Sequence, residues 1–504
     1  MGQKKSENLK ITKRDENYSR WYQDVVSYAK LADESGVRGC MVLRPEGFGI
    51  WEKIQQTLDE MIKETGHVNA YFPLFLPVSY LGKEAKHVAG FAKECAVITH
   101  HRLTVNESTN EIEIDPDSEL GEPLIVRPTS EALIWSIYRK WIQSYRDLPL
   151  LLNQWANVCR WELRTRPFLR TAEFLWQEGH TAHATSEEAE IEATKMLNVY
   201  RSLIENYLAI PVFVGRKTEN EKFPGAEHTY TLETMTQDKR SIQLGTSHNL
   251  GTVFSKAFDV TFLSVEGERE YPYATSWGVS TRLIGAVIMV HSDDKGFVCP
   301  PRIAPLQVVG VPIFRSETEQ EDVLTRFKEM QEQFKASKAF SFKVDDRDNL
   351  SPGFKFNDWE LKGIPLRLEL GPRDLKNETA VLVRRDTGEK INVNQSELES
   401  KIIALLDEIQ TNLFNRAKSF QEQNIYMVSS YEEFKQKINE QPGYYVAYFD
   451  GTPEDEDKIK EDTQATGRCI PFNSERIPFK QEEVGQCFYT NKPTKQIVIF
   501  AKSY

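Results

Sequence analysis

CRWELRTRPFLRTAEFLWQEGH, residues 159 to 180, places four arginines (Arg160, Arg164, Arg166 and Arg170) ahead of Phe174, Trp176, Glu178 and His180, which recur at strict two-residue spacing. Side chains on a strand alternate between faces, so a strand over 155–164 would put Arg160, Glu162 and Arg164 on one side. A partner strand would likewise put Phe174, Trp176, Glu178 and His180 on one face. Such a hairpin aims arginines, aromatic surface and carboxylates into one concavity. An arginine fork suits phosphate, an aromatic face suits a purine, and a carboxylate suits an ammonium group. Together they suit a nucleotide beside a small zwitterion. Read alone, the stretch is equally a solvated hairpin with a basic turn.

The rest of the chain narrows the choice. Its 504 residues should form about two to four domains, with 40% hydrophobic and 27% charged residues, an ordinary globular composition. A net charge of -12 argues against a general nucleic-acid coat and leaves room only for a local basic groove. The six cysteines (Cys40, Cys95, Cys159, Cys299, Cys469 and Cys487) lack CxxC spacing, which points to reduced thiols and a cytoplasmic location. The opening MGQKKSENLKITKRDEN has no apolar core, and no run reaches membrane-spanning length, so no membrane association is expected. Gly2 and Ser6 do fit the short MGxxxS acylation pattern.

Periodicity sketches the organisation. In GFGIWEKIQQTLDEMIKETG (47–66), Ile50, Ile54, Leu58 and Ile62 recur every four residues ahead of Gly66, predicting an amphipathic helix. HVNAYFPLFLPVS follows as an apolar strand, 97–127 alternate as a hairpin insertion, and LIVRPTSEALIWSIYRKWI reads as strand, turn and helix, with Thr129 or Ser130 as N-cap. After a helix over 186–209, YTLETM, RSIQLGTSHN and KAFDVTFLS read as strands, and STRLIGAVIMVHSD as a helix. Hairpin-linked strands predict an α+β fold with a largely antiparallel sheet. CPPRIAP (299–305) marks a boundary, beyond which alternating strands and helices predict a small α/β domain. A long helix from 396 to about 420 leads into a last segment rich in Glu, Lys and Gln, and the expected division is 1–299, 300–410 and 411–504, the last an α+β segment.

Two further segments carry similar chemistry. PTSE (128–131) offers Thr129 and Glu131 at a strand end, or is simply a helix cap. TSWGVSTRLIG (275–285) brings Arg282 to a helix start, either as an anion site or as an ordinary ion pair. His248 in IQLGTSHN is a ligand or a satisfied core histidine. GxxxxGK, GxGxxG and HExxH are absent, which removes the P-loop, Rossmann and zincin readings.

In this combination and order, the segments resemble class II aminoacyl-tRNA synthetases, and among them the prolyl-tRNA synthetases of archaeal and eukaryotic type. RGCMVLRPEGFGIWEKIQ with HVNAYFPLFLP resembles the family's first motif, CRWELRTRPFLRTAEFLWQEGHTAH its second and SWGVSTRLIGAVIMVH its third. RPTSE and QLGTSHNLG resemble segments peculiar to the prolyl enzymes, and the likeness covers nearly the whole chain. It implies a class II core of antiparallel sheet flanked by helices, an anticodon-binding domain and a homodimer. The implied reaction is ATP-dependent activation of L-proline and its transfer to tRNA(Pro).

By resemblance, Arg160 and Arg282 are catalytic. Arg160, Glu162, Arg170, Thr171, Phe174, Gln243, Thr246, Ser280 and Arg282 bind ATP, with Mg2+ on its phosphates. Thr129, Glu131, Arg160, Trp176, Glu178, His180 and His248 bind proline. Phe356, Glu360, Arg367 and Asp374, within PGFKFNDWELKGIPLRLELGPRD, read the anticodon, a mode suited to unstacked RNA. Ser280 stands where relatives often have threonine, and the loop at 165–166 is slightly shorter than in animal enzymes.

Many relatives carry a four-cysteine zinc site, but YFDGTPEDEDKIK has no cysteine and QCFYT keeps only Cys487, while Cys469 resembles a structural position. One thiolate cannot complete a tetrahedral site, so no zinc is expected. Tyr504 matches a terminal tyrosine whose carboxylate reaches toward the active site. Residues 184–242 leave no room for a large editing insertion, so some mischarging with alanine or cysteine is expected, since one methylene gives only about 10 to 200-fold discrimination. The alternatives are an adenylate-forming ligase with another acceptor, and a catalytically silent RNA-binding or regulatory paralogue.

Overall fold

The computed structural model describes residues 11–82, 95–472, 476–477 and 483–504. The Gly2/Ser6 pattern lies outside the described residues. The predicted first helix forms as Pro45–Glu64, with Ile50, Ile54, Leu58 and Ile62 all buried. It packs with helices Ser186–Asn206 and Arg282–His291 against one face of an eleven-stranded sheet, forming the main core. The central strands of that sheet run antiparallel in the order Phe213–Arg216, His228–Met235, Ser241–Gly251, Tyr273–Ser280, Glu173–His183 and Leu150–Cys159. The antiparallel α+β core is therefore as the sequence predicts.

Three local expectations are corrected. Residues 155–164 are not one strand: Leu150–Cys159 ends before Arg160, whose amide turns back to the Ala172 carbonyl at 2.7 Å. Pro167 and the left-handed Phe168 (φ 59°) then shape a loop, so the arginines come to one cavity from a loop and not from one strand face. HVNAYFPLFLPVS splits into Val68–Asn69, beside Leu152–Asn153, and Phe75–Pro77, beside Leu124–Val126. The prolines in this segment lack the N–H a continuous ladder needs. KAFDVTFLS is mostly not strand. Helix Val253–Ala257 closes at Asp259 (φ 52°), and only Phe262–Leu263 pairs, with Arg269–Glu270.

The α/β segment has strand order Phe342–Val344, Val308–Pro312, Leu366–Leu370, Thr379–Arg384, Lys390–Asn394, parallel across the first three. Helices Glu317–Ser337 and Leu398–Glu422 bury its core. The second of these runs straight through position 410, so the last two segments share a helix. The C-terminal strands Ile425–Met427, Tyr444–Tyr448, Ile497–Lys502 and Ala465–Pro471 extend the catalytic sheet, joining it where Gly215 faces Pro471. A Cβ on Gly215 would lie 2.4 Å from the Ile470 carbonyl oxygen, so a larger residue would part the two halves.

A buried ion network crosses the same seam. Glu233 accepts from Lys217 Nζ at 2.7 Å, Arg468 Nη2 at 3.0 Å and Ser241 Oγ at 2.8 Å. Burial alone would raise the Glu233 carboxyl, but the charges of Arg468 and Lys217 lower it to about 2. Glu233→Gln should cost about 3–5 kcal/mol by stranding two buried cations, and an unchanged urea midpoint would refute this. The wild-type contribution is present above the ordinary carboxylate value of 4.5 and is lost as pH falls toward about 2, so the variant's deficit should shrink in acid.

Candidate active site

The register of strand Glu173–His183 assembles the site. On one side Trp176 faces Ser280, Glu178 faces Gly278 and His180 faces Ser276; one strand further, Thr246 faces Gly278 and His248 faces Ser276. On the other side Glu178 faces Gln154. Directly opposed residues share a face, so side chains far apart in sequence meet. Gln243 has the wrong parity to join Thr246. A bulge solves this, because pairing jumps from Leu232/Gly245 to Glu233/Gln243, sending Leu244 into the core and Gln243 to the cavity.

Two adjoining cavities result. One, of about 370 Å3, is lined by Thr129, Glu131, Arg160, Phe174, Trp176, Glu178, His180, Gln243, Thr246, His248, Ser280 and Arg282. The second, of about 890 Å3, is lined by Arg160, Glu162, Arg170, Thr171, Phe174, Gln243, Ser280 and Arg282, with Arg38, Arg164, Arg166, Arg240 and Arg468. Arg160, Phe174, Glu221, Gln243, Ser280 and Arg282 belong to both. Every residue expected at the proline and ATP sites therefore lines one cavity or the other.

The smaller cavity is of mixed charge, with Glu131, Glu178 and Glu221 beside Arg160, Lys217, Lys222 and Arg282, and its carboxylates are tightly bonded. Glu178 accepts from the Ser130 hydroxyl and from Gln154 Nε2 at 2.8 Å, and meets His180 Nε2 at 2.8 Å. Ser130 occupies the N-cap position of helix Glu131–Trp141, but its hydroxyl serves Glu178 and makes no cap bond, while the Thr129 hydroxyl donates to Glu131. The predicted side-chain cap is thus replaced by site chemistry. His248 Nδ1 lies 3.0 Å from Thr229 Oγ1, and its ring is 4.5 Å from that of Phe223. Trp176 Nε1 and His180 Nδ1 are buried with no hydrogen-bond partner among the described residues. Burial favours neutral His180, but the bond and charge of Glu178, with Glu131, prevail and raise its pKa.

The larger cavity is strongly basic, with Glu162 and Glu221 as its carboxylates. Arg160 donates through Nε to the Pro128 carbonyl at 3.0 Å and lies 5.6 Å from the centroids of both Phe174 and Trp176. Arg282 donates through Nε to the Leu169 carbonyl at 3.3 Å, and burial, with the charges of Arg160 and Arg170, lowers it to about 10. Arg170 is half exposed and 4.0 Å from Glu162. Tyr504 lines this cavity, its ring beneath Arg166 and Arg240 at 5.3 and 5.5 Å and its hydroxyl donating to Asp238.

The residues expected to read RNA are less united. The Arg367 guanidinium lies 4.2 Å over the Phe356 ring, with Nη2 2.8 Å from Glu369. Glu360 instead accepts from Lys295 Nζ at 3.2 Å, and Asp374 accepts the Gly371 amide at 2.9 Å as a helix cap. In the last segment the Thr490 hydroxyl donates to Asp450 at 3.0 Å, and its amide donates to Cys487 Sγ at 3.3 Å. Among the described residues no group of three His, Cys, Asp or Glu could hold a metal ion.

Sequence reading missed the loop 217–227, which brings Lys217, Glu221, Lys222, Phe223 and Pro224 to the smaller cavity, and it missed Arg468. The Pro224–Gly225 turn was the only local signal. No spacing rule brings Arg468 in from a strand so distant in sequence.

Comparison with known proteins is unambiguous. The family "tRNA synthetase class II core domain (G, H, P, S and T)" matches residues 111–291, "Anticodon binding domain" 307–405, and "Prolyl-tRNA synthetase, C-terminal" 431–504. A proline--tRNA ligase of Bacteroides fragilis is 56% identical over 501 residues, covering 98% of this chain and 99% of the relative. Those of Parabacteroides distasonis and Amoebophilus asiaticus are 56% and 54% identical, over the same shares of each chain.

Glu178→Gln leaves burial less opposed, so the His180 pKa should fall below the ordinary imidazole range. Titration of labelled imidazoles by NMR would show this, and an unshifted His180 would remove the carboxylate from its assigned role.

Proposed function

The chain belongs to the class II prolyl-tRNA synthetases, and from that premise we propose how its residues divide the work. The reaction is activation of L-proline by ATP to prolyl-adenylate, followed by transfer to the 3′ end of tRNA(Pro). The observation that carries the division is the set of residues shared by the two cavities, because the carboxylate and the α-phosphate must meet where the pocket of Glu131 and Glu178 opens into the arginine-rich one.

In this reading the proline ammonium sits by Thr129 and Glu131, with its ring among Trp176, Glu178, His180 and His248. ATP lies in the basic cavity. Its adenine is held between Phe174 and Arg282 near Glu162, its ribose and phosphates lie near Thr171, Gln243, Thr246 and Ser280, and its outer phosphates meet Arg170 and Arg282. Proline's carboxylate oxygen attacks the α-phosphorus and pyrophosphate leaves. Arg160, fixed by Pro128 and the two aromatic faces, meets the charge that develops there. Mg2+ would be held mainly by the phosphates, with Glu162 and Glu221, which line this cavity, as the carboxylates within reach of the role, and it would neutralise phosphate charge. In the second step a terminal ribose hydroxyl attacks the acyl carbon and AMP leaves.

We assign residues 1–299 to this chemistry, 300–410 to the anticodon and 411–504 to the C-terminal domain. Phe356 with Arg367 supports the anticodon assignment as a stacking platform; Glu360 and Asp374 would exchange their present partners for base edges. The archaeal and eukaryotic type is supported by the C-terminal segment and by residues 184–242, which hold one long helix and core strands, although the relatives named are bacterial. No zinc is assigned, since Cys487 offers one thiol and Asp450 is engaged by Thr490. A homodimer is supported by exposed Val68, Tyr71 and Phe75 in the first-motif segment. Among the described residues no helix is long and apolar enough to cross a membrane, and the free cysteines suit a cytoplasmic setting.

Amino-acid-dependent ATP–pyrophosphate exchange tests the reading. Proline should support strong exchange, with alanine and cysteine far behind but detectable. Arg160→Ala should lose on the order of 10²-fold or more. Exchange with no amino acid would favour the silent paralogue, and near wild-type activity of the variant would remove Arg160 from the site.

A further inference from the structure

One wall of the amino-acid cavity is a loop and not a strand. Residues 217–227 join strand Phe213–Arg216 to strand His228–Met235, and Glu221, Lys222, Phe223 and Pro224 line the cavity from it. On the inner side, the Phe223 amide donates to Thr229 Oγ1 at 3.0 Å. On the outer side, the loop is tied to the C-terminal helix Pro453–Thr463. Thr218 Oγ1 donates to Glu456 Oε2 at 2.8 Å, and Asn220 Nδ2 donates to Asp457 Oδ1 at 2.9 Å. Thr218 and Glu456 are only 4% and 6% exposed. Strand Ala465–Pro471 closes over them at Gly467, where a Cβ would lie 3.0 Å from Glu456 Oε2 and 3.3 Å from Thr218 Cγ2.

This bond is not needed to complete the catalytic sheet, whose strands pair on either side of the loop. What it fixes is the path of the loop as it leaves Lys217, and hence where Phe223 and Pro224 stand against His248. An unanchored loop must pay ordering entropy when ligand binds, whereas an anchored one has its wall in place beforehand.

We propose that Glu456 is a positioning residue for the amino acid: with Asp457 it clamps loop 217–224 from the C-terminal domain and so sets the affinity of the cavity for proline. The proposal rests on the reading of that cavity as the proline site. Burial, reinforced by Glu221 and Asp457 and opposed by the Thr218 bond and Lys217, raises the Glu456 carboxyl to about 7. Glutamine, neutral and of the same shape, therefore retains the acceptor that Thr218 needs.

The test uses the full chain and pyrophosphate exchange. Glu456→Ala should raise the KM for proline roughly tenfold, the effect of one lost buried hydrogen bond, with the KM for ATP and kcat within about twofold. Glu456→Gln should restore the proline KM. Amide hydrogen exchange over 217–224 should quicken in Glu456→Ala and not in Glu456→Gln. An unchanged proline KM in Glu456→Ala, or an equal rise in both KM values, would overturn the proposal. If Glu456→Ala does not fold, Thr218→Val breaks the same bond from the loop and carries the same expectation. Absence of proline-dependent exchange in the wild type would sink the proline reading instead, while faster loop exchange in the variant would still support the clamp.

Discussion

The register of strand Glu173–His183 between its two neighbours is the constraint on which the site depends. Directly opposed residues share a face, so a fixed pairing of Glu178 with Gln154 and Gly278 decides at once that Trp176, Glu178 and His180 look into the cavity. A slip of one residue would turn all of them into the core and bring Gln177 and Leu175 outward. The core forbids that slip. Gly179 lies under Trp277 so closely that a Cβ there would be 2.1 Å from the ring. The fully buried Trp277 therefore pins the register from behind while the opposite face does chemistry.

Charge is handled in two different ways a short distance apart. At the domain seam, Lys217 and Arg468 are matched by Glu233, so burial is offset by pairing and hydrogen bonds. In the larger cavity, arginines far outnumber carboxylates, and burial, with the charges of Arg160 and Arg170, lowers the pKa of Arg282. Such a cluster is tolerable because it is open to water and because an anionic ligand relieves it. Its position in a chain of net charge -12 makes it a local attractor and not a general polyanion surface.

Much of this was legible in the sequence, for physical reasons that also mark the limits. The two-residue spacing after Glu173 and the four-residue spacing of Ile50 to Ile62 are direct images of strand and helix geometry, and both were read correctly. The arginine loop was misread as strand because alternation persists in sequence after Cys159 while the chain turns at Pro167 and Phe168. Gln243 was identified only through resemblance, since its bulge leaves no trace in spacing. The loop 217–227 was not legible at all. Its residues reach the site through long-range packing against the C-terminal helix, which no local pattern records.

That last failure concerns what a domain is in this chain. The expected division at 410 cuts a helix that the sequence itself predicts over 396 to about 420; that helix forms as Leu398–Glu422, and the C-terminal strands extend the catalytic sheet. Gly215 permits the backbones to touch, Arg468 reaches the larger cavity, and Tyr504 lies beneath Arg166 and Arg240. A segment joined by one edge pairing alone could hinge, because two backbone pairings resist little. Here the pairing is backed by a buried ion network whose members belong to both sides, so separation would strand charges in a low-dielectric seam. The C-terminal segment is thus joined to the catalytic sheet by constraints that act at the walls of the active site itself.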